Sequence, residues 1–264
     1  MIMQLKGRTI LVTGGTSGIG FAFAKRLLDM ENTVIITGRS QQRIDQIVEN
    51  NPGLIGIAAD VSDPNSVEHL AKELIIHYPK LDIILNNAGI IHEFDLFDET
   101  VTYEQLTIEI ATNLNGTIYI TKALLPLLAK QQEAMIVNVS SLLANITVAN
   151  APTYSATKAG IHMFSDALRE QIRAKGKNIH VMELCPPVIS ETSLTDTFDD
   201  GLLNKIISLP LEKLVHVGIR GMQKNKLRVN AGFTKVMRFS MKFAPDFITH
   251  TWGQMLLKSN GAEH

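Results

Sequence analysis

Thr9-Ile10-Leu11-Val12-Thr13-Gly14-Gly15-Thr16-Ser17-Gly18-Ile19-Gly20 decides how the rest of the chain is read. A β-favouring run enters a glycine-rich loop, and Phe21 to Leu28 continues with helical character. Strand, glycine loop and helix in that order make a phosphate cradle. Glycine lets the backbone turn sharply, removes Cβ atoms where a phosphate must approach, and lets the helix pack close to the strand. The helix N-terminus adds unpaired amides and a partial positive charge for a pyrophosphate. Gly14, Gly18 and Gly20 stand in a G-x-x-x-G-x-G spacing around Thr16, Ser17 and Ile19. No Gly-Lys-Ser/Thr ending follows, which argues against a phosphoryl-transfer loop.

Outward from this loop, short apolar runs recur at Thr33 to Thr37, Leu54 to Ala59, Leu81 to Leu85, Ala134 to Val139 and Ile179 to Cys185, each beside a helix-like stretch. That alternation predicts an α/β fold with a doubly wound parallel sheet covered on both faces. With 264 residues the chain can be one such domain, 1–264, with residues 190–264 as a substrate-side lid and C-terminal region of it. Two long helices are predicted, over Tyr103 to Lys130 and Tyr154 to Lys175, the second closed by Gly176 as a left-handed cap.

The composition, 45% hydrophobic and 19% charged with a formal charge of -1, fits a soluble globular enzyme and gives no electrostatic case for nucleic acid. The amino terminus enters a strand-like run at once, so no export signal is expected, and no apolar run reaches the ~18 residues of a spanning helix. Cys185 is the only cysteine, which points to a reducing, cytoplasmic setting without an intrachain disulfide. The histidines fall into no metal-binding spacing, and no metal is assigned.

Tyr154 and Lys158 are four residues apart, so a helix stacks them on one face. An ammonium beside a phenol favours the phenolate, and the pair is expected to behave as a proton donor and acceptor tuned toward neutral pH. Bringing a phenol from ~10 to ~7 corresponds to about 4 kcal/mol of preferential phenolate stabilisation.

Thr13 to Gly20, Asn86-Asn87-Ala88-Gly89, Ser141, and Tyr154 with Lys158 together resemble the short-chain dehydrogenase/reductase family, in order and spacing, to about residue 190. The double proline and the sequence as a whole resemble bacterial members associated with cell-envelope alanylation genes. The resemblance implies a Rossmann sheet of about seven strands binding a nicotinamide dinucleotide, and a carbonyl or secondary-alcohol substrate handled by a homodimer or homotetramer. It places Asn87, Ala88 and Gly89 beside the cofactor at the end of the fourth strand, and Asp60 with Val61 at the end of the third. Asp60 could instead cap the helix starting near Asp63. It makes Tyr154 the general acid/base, Lys158 its partner on the nicotinamide ribose, Ser141 the group that orients the substrate oxygen, and Asn113 the holder of a water-linked proton path. Ser140 is the neighbouring alternative to Ser141. Pro186 and Ile189 fall where the family contacts the carboxamide, but Pro187 replaces the customary glycine and Glu191 stands where threonine is usual.

Cofactor choice turns on Ile35-Ile36-Thr37-Gly38-Arg39-Ser40. Gly38 occupies the slot where an acidic residue would hold the ribose hydroxyls of NAD, and Arg39 can pair with a 2′-phosphate, so NADP(H) is expected over NAD. Thr16 and Ser17 are neutral, so the glycine loop offers no second cation.

The substrate pocket is expected from Leu142 to Ala144, His92 to Phe97 and Thr192 to Ser208, mostly apolar. Phe239, Phe243, Phe247, Ile248, Trp252, Met255 and Leu256 form an aromatic-apolar stripe near Lys235, Arg238 and Lys242. Burial in the domain or at a dimer contact is expected for it, with a membrane surface as the alternative. A non-catalytic dinucleotide sensor or scaffold is the competing function, since fold alone does not fix activity.

Overall fold

The computed structural model of the chain describes residues 3–189 and 208–260, the side chains of 253–260 excepted. Glu191, Thr192 and the rest of 190–207 lie outside the described residues, as do the side chains of Met255 and Leu256.

Seven strands form one sheet: β1 (Thr9–Thr13), β2 (Thr33–Gly38), β3 (Leu54–Ala58), β4 (Leu81–Asn86), β5 (Ala134–Val139), β6 (Ile179–Cys185) and β7 (Arg228–Asn230). Their order is β3-β2-β1-β4-β5-β6-β7, and every pairing is parallel. The near-continuous apolar runs follow from burial on both faces. Ile10 and Val12 of β1 join one core while Leu11, between them, joins the other. The first core is closed by α1 (Gly18–Asp29), through Phe23 and Leu27, and by α7 (Leu211–Gln223), through Leu214, Ile219 and Met222. The second is closed by α3 (Pro64–His77), α5 (Gly116–Leu128) and α6 (Pro152–Ala174), through Leu74, Leu124 and Leu168. Each such side chain removed from water contributes about 1.5–3 kcal/mol.

From β1 the chain winds outward through β2 and β3, then crosses back to place β4 on the other side of β1. The loops leaving β1 and β4 therefore diverge, and a crevice opens at the carboxyl ends of the strands.

Six strands fall where the apolar runs place them. The seventh has only three residues and pairs with Glu183 to Cys185 of β6, too short a run to stand out from its surroundings. The single helix expected over Tyr103 to Lys130 is instead three pieces: α4 (Tyr103–Glu109), a π-helical segment (Ile110–Asn115) and α5. Thr102 and Gln105 form a reciprocal capping box at its start. In the widened turn Asn113 accepts from the Ile90 amide at 2.8 Å and donates to the Ile90 carbonyl at 2.8 Å. Those long-range bonds tie the bulge to the loop after β4. Helix α6 starts on Pro152 and ends before Gly176, whose φ of +59° makes it the left-handed cap that the sequence predicts.

Beyond β7 lie α8 (Thr234–Ser240) and α9 (Pro245–Asn260), and here the aromatic stripe divides. Ile248 and Trp252 pack against a cluster containing Leu142, Leu143, Ile146 and Tyr154. Phe239, Phe243 and Phe247 are 63%, 73% and 73% exposed, so burial within the domain is corrected for these three. Met237, two residues before Phe239, is buried instead. Among the described residues no helix is long and apolar enough to cross a membrane.

Candidate active site

A cleft of about 420 Å³ opens at the carboxyl ends of the strands, running from the glycine loop to the first turn of α6. Gly14 sits in it with φ +62°, and a Cβ there would stand 2.8 Å from the Ala88 Cα. The two loops are fastened together at that point. Asn87 Nδ2 donates to the carbonyls of Thr13 at 3.1 Å and Gly14 at 3.2 Å, and the Thr13 hydroxyl accepts the amides of Asn87 at 3.0 Å and Ala88 at 3.1 Å. Thr16, Ser17, Gly18 and Ile19 line the cleft beside Asn87, Ala88 and Gly89. Gly20 stands behind the wall, where a side chain would strike the Gly14 carbonyl and the Asn87 amide, so its role is packing.

Farther along, Gly38, Arg39, Asp60 and Val61 form the wall. Arg43 joins them, a second cation that the sequence reading overlooked. It lies in the first turn of α2 (Gln41–Asn50), where its amide donates to the capping hydroxyl of Ser40 at 3.3 Å. The available signal was Ser40 three residues upstream, which marks a helix start just after β2. Asp63 caps α3 by accepting the Asn65 amide at 2.9 Å, whereas Asp60 holds the amide and hydroxyl of Ser62 at 2.9 and 2.6 Å. That decides the capping alternative in favour of Asp63 and leaves Asp60 on the cleft.

At the other end, Ser141, Tyr154, Lys158, Pro186 and Ile189 line the same cleft. Ser141 caps a short 3-10 turn (Leu142–Ala144), its oxygen accepting the Leu143 amide at 3.1 Å, and it lowers the neighbouring Tyr154 phenol. Its neighbour Ser140 is committed elsewhere, donating to Glu183 at 2.7 Å. The Lys158 ammonium donates to the Val139 carbonyl at 3.1 Å and lies 5.4 Å from the centre of the Tyr154 ring. Asn113 is fully buried and does not line the cleft, but a Cβ placed on Gly89 would stand 3.3 Å from its Oδ1 and 3.5 Å from Lys158 Nζ. Asn113 and Lys158 thus converge on one glycine.

The electrostatics correct the expectation for the tyrosine. Burial pushes the Tyr154 phenol up to about 12, and the Glu109 charge adds to that, outweighing the Ser141 hydrogen bond. Burial pushes the Lys158 ammonium down to about 8 against the pull of Glu109. Desolvation disfavours the charged form of each group, and it is the largest cause of both shifts. Glu109 itself was missed in the sequence. It is fully buried at the end of α4, accepts the His92 amide at 2.5 Å and takes the Thr153 hydroxyl in a short hydrogen bond.

Behind Ser140 lies a charged network. Glu183, fully buried in β6, accepts from Ser140, His162 and Arg228. Burial alone would raise its carboxyl, but the bonds from His162 and Ser140 and the charge of Arg228 bring it down to about 2.

Beside Tyr154 the chain packs a buried apolar cluster of Leu142, Leu143, Ile146 and Val148 with Met237, Ile248 and Trp252, and the cleft lining includes neither the Leu142 to Ala144 stretch nor the His92 to Phe97 stretch expected for a substrate pocket. Of the His92 to Phe97 stretch, Leu96 and Phe97 are exposed to solvent. Among the described residues no cluster of His, Cys, Asp and Glu could hold a metal ion.

Comparison with known proteins agrees with this geometry. The family model for short chain dehydrogenase matches residues 8–202. The chain is 37% identical over 232 residues to the uncharacterized oxidoreductase DltE of Bacillus subtilis, covering 86% of this chain and 89% of that protein. It is 32% identical over 216 residues to the 3-oxoacyl-[acyl-carrier-protein] reductase FabG of Chlamydia pneumoniae, covering 80% and 85%. In fold it is similar to a short chain dehydrogenase from Burkholderia cenocepacia in complex with NADP, with a TM-score of 0.80, 18% identity, and 95% and 99% of the two chains covered. It is similar as well to a short chain dehydrogenase/reductase from Burkholderia phymatum in complex with NAD, at 0.79 and 17%, covering 94% and 97%. With its sheet order and the match over residues 8–202, the chain belongs to the short-chain dehydrogenase family, oxidoreductases on a Rossmann-like fold.

Proposed function

We propose that this protein is an NADP(H)-dependent oxidoreductase that moves a hydride between the nicotinamide and a carbonyl or secondary alcohol, with Tyr154 as general acid/base. The observation that carries this reading is the continuity of one cleft. Ser141, Tyr154 and Lys158 stand at one end, and the glycine loop with Arg39 and Arg43 stands at the other.

The residues fit a dinucleotide. Gly14 leaves room that a Cβ would fill, the α1 N-terminus faces the cleft through Ser17 to Ile19, and Asp60 and Val61 border the adenine side. Fold neighbours are described with NAD and with NADP, so the chain's own residues favour one of the two. Arg39 and Arg43 offer two cations to a 2′-phosphate, and the slot an acidic residue would take is Gly38. Charge-assisted contacts of this kind contribute about 1.5–3 kcal/mol each.

When bound, the cofactor supplies or accepts the hydride. Ser141 holds the substrate oxygen, and Tyr154 delivers the proton as charge develops there. A phenol pushed up to about 12 is protonated at neutral pH, which suits the donor role in carbonyl reduction. Lys158, pushed down to about 8, remains mostly charged at neutral pH and can stabilise the phenolate left after proton transfer. Asn113 holds the loop after β4 through Ile90 and anchors the lysine side of the site. Pro186 and Ile189 border the nicotinamide end. The buried apolar cluster next to Tyr154 favours a hydrophobic carbonyl compound as the substrate in this reading. The working assembly in this reading is a cytoplasmic homodimer or homotetramer.

A panel of hydrophobic aldehydes and ketones, followed by absorbance of NADPH and NADH, tests the proposal. Wild-type protein should consume NADPH with at least one carbonyl and prefer it over NADH. The Tyr154→Phe variant should lose about 10³-fold in turnover while keeping its NADPH affinity. Near-normal turnover by that variant, or equal affinity for the two cofactors, overturns it.

A further inference from the structure

Glu109 is a buried carboxylate that the mechanism above does not use. It is 0% exposed, and the groups that hold it come from two elements. Its Oε1 accepts the His92 amide at 2.5 Å from the loop after β4, and its Oε2 accepts the hydroxyl of Thr153, the residue before Tyr154. The titratable groups facing it among the described residues are His92, whose Nδ1 lies 3.6 Å from Oε1, and Tyr154 and Lys158 from α6. Glu109 is also the last residue of α4, directly before the π-helical segment that carries Asn113. A charge removed from water is retained where fixed donors replace its hydration, and the His92 amide and Thr153 hydroxyl are such donors for Glu109.

We propose that Glu109 is a positioning residue of the hydride-transfer site: through Thr153 it holds the first turn of α6, and with it Tyr154, against the His92 loop, and it is the buried counter-charge of Lys158. The proposal rests on the reading of Tyr154 and Lys158 as the acid/base pair. Two separable actions follow. The reach of the carboxylate fixes the geometry of Tyr154, and its charge keeps the phenol protonated and the lysine charged to higher pH. Loss of the charge moves both titrations to lower pH, so the alkaline limb of carbonyl reduction moves the same way.

The test reads Tyr154 without any substrate. Phenolate absorbance in the near ultraviolet is followed against pH in the full chain, with the Tyr154→Phe variant subtracted, for wild type, Glu109→Gln, Glu109→Asp and Thr153→Val. Glu109→Gln should bring the Tyr154 transition to lower pH. Glu109→Asp, which keeps the charge and shortens the reach, should restore most of that shift. Thr153→Val should leave the transition closer to wild type than Glu109→Gln does, while lowering kcat for a carbonyl found in the panel. A Glu109→Gln protein that stays folded by circular dichroism and titrates like wild type overturns the inference. So does an Asp variant that titrates like Gln. Failure of the underlying reading shows separately, as a Tyr154→Phe protein that still turns over.

Discussion

The two ends of the cleft are built differently. At the cofactor end, backbone does most of the shaping: Gly14 at positive φ, amides of Asn87 and Ala88 locked to Thr13, and a helix N-terminus. At the substrate end, side chains brought from distant parts of the chain do it. Leu142 and Leu143 meet Met237, Ile248 and Trp252 beside Tyr154, and buried Glu109 and Glu183 hold Thr153 and Ser140. Backbone-shaped surface tolerates no added atoms, whereas packed side chains can be exchanged for others of similar volume. The first arrangement suits one invariant ligand and the second suits a substrate that differs between enzymes.

If the cofactor end is rigid, Gly14→Ala should be among the most damaging single changes there. The left-handed φ costs about 1–2 kcal/mol for alanine, and the added methyl meets the Ala88 backbone, so NADPH affinity should fall by about 100-fold or more. A dissociation constant within threefold of wild type would show that the two loops can part.

At the substrate end, Glu183→Gln should destabilise the fold by about 3 kcal/mol, read as a lower midpoint in urea at pH 7. The sign follows from a carboxyl held at about 2, below its ordinary 4.5. Its stabilisation is present above the ordinary value and is lost as pH falls toward 2. The difference between wild type and variant should therefore narrow below about pH 4. A constant difference across that range would assign the effect to packing rather than charge.

Arg39→Ala should weaken NADPH about tenfold and leave NADH nearly unchanged, with Arg43 retaining part of the discrimination. Equal loss for both cofactors would place Arg39 on something other than the 2′-phosphate. The smallest effect is expected for Phe243→Ser on the outer face of the C-terminal segment. With its ring 73% exposed, the change should stay within about 0.5 kcal/mol of wild type in thermal unfolding. A larger loss would mean that another surface covers it.

What was legible in the sequence follows the same division. Six strands, the glycine loop, Asn87 to Gly89, Arg39 and the Tyr154–Lys158 pair could be read because each rests on local chemistry: period, turn geometry or spacing along a helix. Arg43 escaped although Ser40 marks a helix start three residues upstream, because only the fold shows that the first turn of this helix borders the cleft. Glu109 escaped because nothing around it marks a glutamate as fully buried. The π-helical break at Ile110 to Asn115 could not be seen in a continuous helical pattern, since its cause is a bond to Ile90 from another part of the chain. The tyrosine was misjudged for a related reason: spacing reveals the lysine beside it, while the burial that raises it to about 12 depends on residues such as Leu142 and Met237 arriving from elsewhere.

The most direct test of hydride transfer by this cleft uses NADPH carrying deuterium at nicotinamide C4, incubated with the wild-type protein and a carbonyl that it consumes, with mass spectrometry of the alcohol formed. One deuterium on the carbinol carbon, from one face of the nicotinamide only and absent with Tyr154→Phe, is the expected result. NADPH oxidised with no deuterium in the alcohol from either C4 epimer would contradict it.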